Sequence, residues 1–158
     1  MPVIHLTTFI AAPAERVFDL SRSIELHKKS MEKTMETAVA GTVTGLIQHN
    51  ETVTWKGKHL GKTRLMKVRI TDMKKPVSFT DEMVDGDFKM IKHEHHFKPV
   101  ENGVLMIDIF SYETPYGNFG KIANKIFLNS YLTRLLEKRN GMIKEYAEGD
   151  KWKFLLNR

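Results

Sequence analysis

The chain has 158 residues, 41% hydrophobic and 28% charged, with no cysteine and a net charge of +6. That length suits one domain, residues 1–158, built on one sizeable core, and the composition is ordinary for a soluble globular protein. The absence of cysteine excludes disulfides, thiolate metal sites and cysteine catalysis.

No apolar run approaches the length of a membrane span. Met1-Pro2-Val3-Ile4-His5 lacks the basic-then-apolar pattern of a signal peptide, so a cytoplasmic protein is expected. From Tyr116 to Arg158 there are nine Lys/Arg against four Asp/Glu, which places +5 of the +6 in that segment. A solvated helix face accounts for this, and weak contact with an anionic membrane surface is the alternative. No aromatic-basic recognition module accompanies the charge, so no nucleic-acid partner is expected.

In chain order, Val3 to Ala12 alternates and is rich in β-branched residues, which predicts a first strand. Pro13 stops it. Ala14 to Leu20 and Ser23 to about Lys33 predict two short helices, the second with Ile24, Leu26 or His27, and Met31 on its apolar side. Met35 to Gly45 is ambiguous, with a short strand as one reading. Thr52–His59 and Lys62–Met73 predict a hairpin about Gly61, and Lys74-Lys75-Pro76 ends it. Val77–Val84 is a further strand, closed by Asp85-Gly86. Asp87–Lys98 and Val104–Thr114 predict two long strands around Pro99-Val100-Glu101-Asn102-Gly103.

The segment Tyr116 to about Glu148 follows a helix-start signal, Pro115-Tyr116-Gly117-Asn118. Phe119, Ile122, Ala123, Ile126, Phe127, Leu132, Leu135, Leu136, Met142, Ile143 and Tyr146 recur at helical spacing. So long an amphipathic helix needs a broad surface to lie on. The order of strand, two short helices, antiparallel strands and long helix excludes a doubly wound sheet and predicts an α+β fold. A curved antiparallel sheet of six to seven strands around the helix leaves a hollow suited to a ligand.

Several motifs then occur in order: Thr52-Val53-Thr54-Trp55, His59-x-Gly61, Phe79-x-Asp81-Glu82, Gly86-x-Phe88, His93-x-His95-x-Phe97, Asp108, and Tyr112-x-x-Pro115-x-Gly117-x-x-Gly120. Together they resemble the bacterial ligand-binding branch of the START-like, or SRPBCC, superfamily. That superfamily includes polyketide cyclases, relatives of the birch-pollen allergen, lipid-transfer domains and coenzyme-Q-binding proteins. The resemblance covers nearly the whole chain and implies a helix-grip fold. It does not imply one activity, because the fold hosts carriers, cyclases and hydrolases.

If Pro99 faces Val104, His95 pairs with Asp108, His93 with Phe110, Phe97 with Met106 and Ile91 with Tyr112. One sheet face then bears Ile91, His93, His95, Phe97, Met106, Asp108, Phe110 and Tyr112, an apolar wall with a few convergent polar groups. A slip of one residue would separate His95 from Asp108. Trp55 and His59, four apart on a strand, share a face; they either add an aromatic wall with a polar tip to the cavity or form a core tryptophan with an edge histidine. Methionines such as Met66, Met83, Met90 and Met106 suit either a deformable cavity or ordinary core filling.

The expected function is a carrier or sensor binding a small hydrophobic or amphipathic ligand: a lipid, quinone, polyketide or aromatic metabolite. The alternative is a cyclase, dehydratase or hydrolase with His95–Asp108 as general base and Tyr112 as acid or oxyanion donor. His93 and His95 could serve zinc with Asp108 or His59, but no ligand spacing enforces it; neither metal nor other cofactor is expected. Nucleophile, phosphate-loop and dinucleotide motifs are absent. Arg139, among apolar neighbours, is expected to pair with a carboxylate such as Glu113 or Asp81, with a grip on an acidic ligand headgroup as the alternative. The tail from Lys151 suits a frayed end, a lid or a dimer contact, and the chain a monomer or homodimer.

Overall fold

The computed structural model describes residues 1–114 and 122–156, with the side chains of the long helix from residue 126 onward. The strands are β1 (Val3–Ile10), β2 (Thr37–Gly41), β3 (Thr52–His59), β4 (Lys62–Lys74), β5 (Ser78–Asp85), β6 (Met90–Val100) and β7 (Gly103–Glu113). The helices are α1 (Ala14–Ser21), α2 (Ile24–Ser30), α3 (Ile122–Glu148) and α4 (Trp152–Leu156). The strands form one sheet in the order β1-β7-β6-β5-β4-β3-β2, antiparallel throughout. Helices α1 and α2 carry the chain from the β1 edge to the β2 edge, and α3 returns across the curved sheet. This is the expected α+β helix-grip architecture.

Local chemistry explains the boundaries. The Ser23 hydroxyl accepts the Leu26 amide proton at 3.2 Å and starts α2. That helix stops at Ser30, sooner than the sequence pattern suggests, and a 3-10 turn over Glu32–Thr34 leads into β2. The β3–β4 hairpin turns at Leu60 and Gly61, both at positive φ, a conformation glycine adopts freely. Register shifts in β4 at Lys67/Val68 and Ile70/Asp72 mark bulges, which bend a sheet.

The main core gathers Ile10, Val17, Phe18, Leu20, Ile70, Phe79, Phe97, Val104, Met106 and Ile143. Phe18 is its hub, meeting Phe79 and Phe97 edge-on at 5.5 and 5.3 Å between ring centroids. A second cluster joins Ile4, Ile91 and Tyr112 to Leu128 and Leu136 of α3.

The long helix departs from its predicted face in one respect. Ile126 and Phe127 are 65% and 53% exposed, whereas Leu136 and Ile143 are buried as expected and Leu128, not singled out, is buried with them. At 3.6 residues per turn, Ile126 and Phe127 fall outside the stripe those leucines define. The Pro115-Tyr116-Gly117-Asn118 start signal and Phe119 lie outside the described residues. In the tail, Trp152, Leu155 and Leu156 pack against the main core, and the Arg16 guanidinium stands 4.0 Å over the Trp152 ring. Among the described residues no helix is long and apolar enough to cross a membrane.

Phe18 is 1% exposed. Phe18→Ala is expected to cost about 3–5 kcal/mol of unfolding free energy, read from urea denaturation, because the cavity it leaves opens beneath two aromatic partners. A loss under about 1 kcal/mol would show that α1 is not part of the cooperative core.

Candidate functional site

Between α3, α2 and the sheet lies a cavity of about 260 Å³. Leu128, Leu132, Leu135 and Leu136 line it from α3; Trp55, Met66, Val68, Ile70, Phe79, Ile91 and Phe110 from the sheet; Ile24, His27 and Met31 from the α2 segment. Apolar side chains dominate, and two groups of polar side chains interrupt them.

The first group sits where β5, β6 and β7 meet α3. The registers bring Asp81 opposite His93, His95 opposite Asp108 and His93 opposite Phe110. Asp108 is fully buried and accepts three bonds: from His93 Nε2 at 2.7 Å, Asn140 Nδ2 at 2.7 Å and Arg139 Nη1 at 3.4 Å. His95 donates from Nε2 to Asp81 at 2.7 Å, and its Nδ1 accepts from Arg139 Nη2 at 3.3 Å. Those contacts select the Nε2–H tautomer of His95. Its ring stacks on His93 at 3.7 Å and on Phe79 at 4.0 Å.

Electrostatics follow from this packing. Burial, then the neighbouring His93 and Arg139, push the His95 imidazole down to about 3 against the pull of Asp81. Burial alone would raise the Asp108 carboxyl. The His93 hydrogen bond and the Arg139 guanidinium outweigh it and hold that carboxyl well below the usual range. Asp81 is likewise lowered: burial opposes, but its bond to His95 and the charges around it prevail. The inner end therefore holds two carboxylates, one guanidinium and a neutral His95.

The second group lies toward the end of β3. Buried Glu36 accepts from His27 Nε2 and His59 Nε2, each at 2.8 Å, and Tyr131 bonds His59 Nδ1 at 2.8 Å. Burial would raise Glu36, yet the two histidine hydrogen bonds hold it at about 2. His27 also packs on Trp55, 4.1 Å between ring centroids.

Of the residues singled out from sequence, Trp55, His59, Ile91, His93, His95 and Phe110 line the cavity. Phe97 and Met106 belong to the main core, and Tyr112 to the second cluster, with its hydroxyl donated to Asn129 at 2.9 Å. The expected strand register is present, but the expected His95–Asp108 hydrogen bond is not. Their nearest approach is 3.7 Å, and Asp108 bonds His93 instead. Arg139 finds Asp108 rather than Glu113 or Asp81; Glu113 pairs with Lys89 and Asp81 with His95. Glu36, His27, Tyr131 and Asn140 did not stand out in sequence. Tyr131 had a signal, since it shares the helical stripe of Leu128, Leu132, Leu135 and Arg139. Glu36 had none, lying in a stretch without clear periodicity.

Ligating atoms of Asp81, His93 and His95 lie within 4.8 Å of one another, a spacing open to a divalent cation. The proton on His95 Nε2 occupies the position a metal would take, and the adjacent guanidinium repels a second cation. The donor set fits a hydrogen-bonded network better than a metal centre.

This architecture has many solved counterparts. A START superfamily protein from Mycobacterium smegmatis superposes with a TM-score of 0.67 at 13% identity, over 90% of this chain and 97% of that one. The Zhui aromatase/cyclase from Streptomyces sp. R1128 gives 0.68 at 12% identity, over 93% of each chain. A major latex-like protein of Panax ginseng gives 0.67 at 16% identity, over 94% and 98%. The fold is START-like. No protein-family model matches the sequence, and no curated protein does. At 12–16% identity the likeness is one of backbone course.

Two outcomes test the network. Asp108→Asn should destabilise the protein by about 3–5 kcal/mol in urea denaturation, because Arg139 is left buried beside a neutral amide; a neutral result would mean the network is dispensable. The second concerns pH. The unfolded chain protonates His95 as pH falls through 6.5, but the folded protein refuses that proton down to about 3. Stability should therefore rise with pH across that window, by up to about 1.4 kcal/mol per unit from this group. His95→Asn should flatten the slope, and equal slopes in the two proteins would rule out a neutral, buried His95.

Proposed function

We propose that this protein is a carrier or sensor that binds a small hydrophobic or amphipathic ligand, as one domain, in the cavity between sheet and α3. One observation carries the proposal: leucine, aromatic and methionine side chains enclose about 260 Å³ with only a few convergent polar groups among them. Met31 and Met66 on the wall let it adapt to the shape of an apolar guest. Lipid, isoprenoid quinone, polyketide and aromatic metabolite are the ligand classes that fit such a wall. The START-like fold is consistent with this but hosts unrelated activities, so the cavity and not the fold supports the reading.

A second reading, a cyclase, dehydratase or hydrolase, draws on the His93–Asp108 pair. His93 donates from Nε2 to a buried carboxylate, the arrangement that orients a histidine base. His93, not His95, is then the general base, since both ring nitrogens of His95 are engaged.

Protein purified from its own host should release a hydrophobic molecule at near-stoichiometric level on organic extraction. The empty form should bind phenylnaphthylamine, a neutral fluorescent hydrophobe, with one site. Leu132→Trp, which fills the middle of the cavity, should weaken that binding at least about ten-fold. Empty protein that also ignores phenylnaphthylamine would sink the proposal. Turnover of a hydrophobic substrate, lost in His93→Ala, would favour the enzyme.

A further inference from the structure

The cavity is polar at two ends, and both ends offer acceptors. At the β3 end, Glu36 takes the Nε2 proton of His59, which leaves Nδ1 to accept from the Tyr131 hydroxyl. Tyr131 has one proton and donates it to His59, so what remains for a ligand is its oxygen lone pair. The chain Glu36–His59–Tyr131 thus carries the negative character of a buried carboxylate out to the cavity wall.

Its geometry depends on Gly57. A Cβ there would stand 2.5 Å from Glu36 Cγ and 3.2 Å from His59 Nε2. The cationic groups nearby are already occupied. Arg64 donates to Asp87 at 2.6 Å and to the His59 carbonyl at 3.0 Å.

At the other end, His93 donates its Nε2 proton to Asp108. Among the described residues its Nδ1 has no partner, and no fully buried side-chain nitrogen or oxygen lacks one. His93 lines the cavity, so Nδ1 opens onto it. Arg139 already donates from both Nη atoms, to Asp108, Asn140, Ser21 O and His95. A carboxylate or phosphate ligand would meet a buried carboxylate at either end, and the guanidinium groups of Arg22, Arg64 and Arg139 that border the cavity are each already paired with an aspartate.

Helix α3 measures the interval. Tyr131 and Arg139 mark the two ends and are eight residues apart, about 12 Å at 1.5 Å per residue. Leu132, Leu135 and Leu136 fill the span.

Resting on the proposed ligand-binding role, we infer that the ligand is an elongated hydrophobic diol, with a phenolic or alcoholic hydroxyl at each end roughly 12 Å apart. One hydroxyl donates to Tyr131 and the other to His93 Nδ1, and the apolar body lies along α3. A fatty acid fits the apolar wall but not the ends.

The test is a titration series on trans-stilbene, followed by calorimetry. The compounds are the unsubstituted hydrocarbon, the para-hydroxy compound, the para,para′-dihydroxy compound and its dimethyl ether. The dihydroxy compound should bind about ten-fold tighter than the monohydroxy compound and at least about ten-fold tighter than the ether, which keeps the oxygens but loses both donors. Tyr131→Phe should bring the dihydroxy and monohydroxy compounds within about two-fold of each other. Gly57→Ala should do the same without deleting any polar group. If stilbene and phenylnaphthylamine bind but the diol is no better than its ether, the inference fails and the cavity reading stands. If neither binds, both fail. The ligand series itself needs no variant, so a misfolded mutant would not blunt it.

Discussion

A single buried carboxylate ties the two halves of this protein together. Asp108 sits in the middle of β7 with no solvent exposure, and its partners are His93 on β6 and Arg139 and Asn140 on α3. A charge in that position is tolerable only if every lone pair is answered. The demand fixes how α3 crosses the sheet, because Arg139 and Asn140 must both reach β7. With the helix held there, Leu128 and Leu136 pack on Ile4, Ile91 and Tyr112 of the sheet while Leu132 and Leu135 border the hollow.

The same constraint shapes the chemistry. His95 would be the obvious base from its central position, yet Asp81 and Arg139 occupy its two nitrogens, and burial keeps it neutral. His93 is spared because Asp108 satisfies one side of it only. Two histidines on one strand face thus take different roles, the first turned to the cavity and the second bound into the scaffold. The Glu36 network repeats the principle at the other end, where a buried carboxylate collects two histidines and, through one of them, a tyrosine of α3.

Hydrophobic burial and polar satisfaction are divided along α3. Ile143 and Ala147 bind its C-terminal half into the main core with Phe18 and Val17 of α1. Leu128, Leu132, Leu135 and Leu136 border the cavity over the preceding turns. The C-terminal half serves the main core, and the preceding turns both complete the second cluster and line the hollow, so one amphipathic stripe supports the fold and the cavity together.

Much of this was decided by sequence alone. Strand alternation, the turn residues and the proline breaks determine the order of elements; for the β6–β7 register the sequence offers the Pro99–Val104 pairing beside a one-residue slip, and the structure has the former. These are short-range effects, governed by backbone sterics and by a side-chain period of two. Tertiary structure decided the rest. Which carboxylate answers which histidine depends on side-chain reach across neighbouring strands, so Asp108 chose His93 and Asp81 chose His95 despite the pairing of His95 with Asp108 along the ladder. Glu36, in a stretch without periodicity, and Tyr131, about 95 residues further on, meet at His59 only because the sheet curls around α3. Local periodicity carries no information about contacts of that range, since they are set by how finished elements pack.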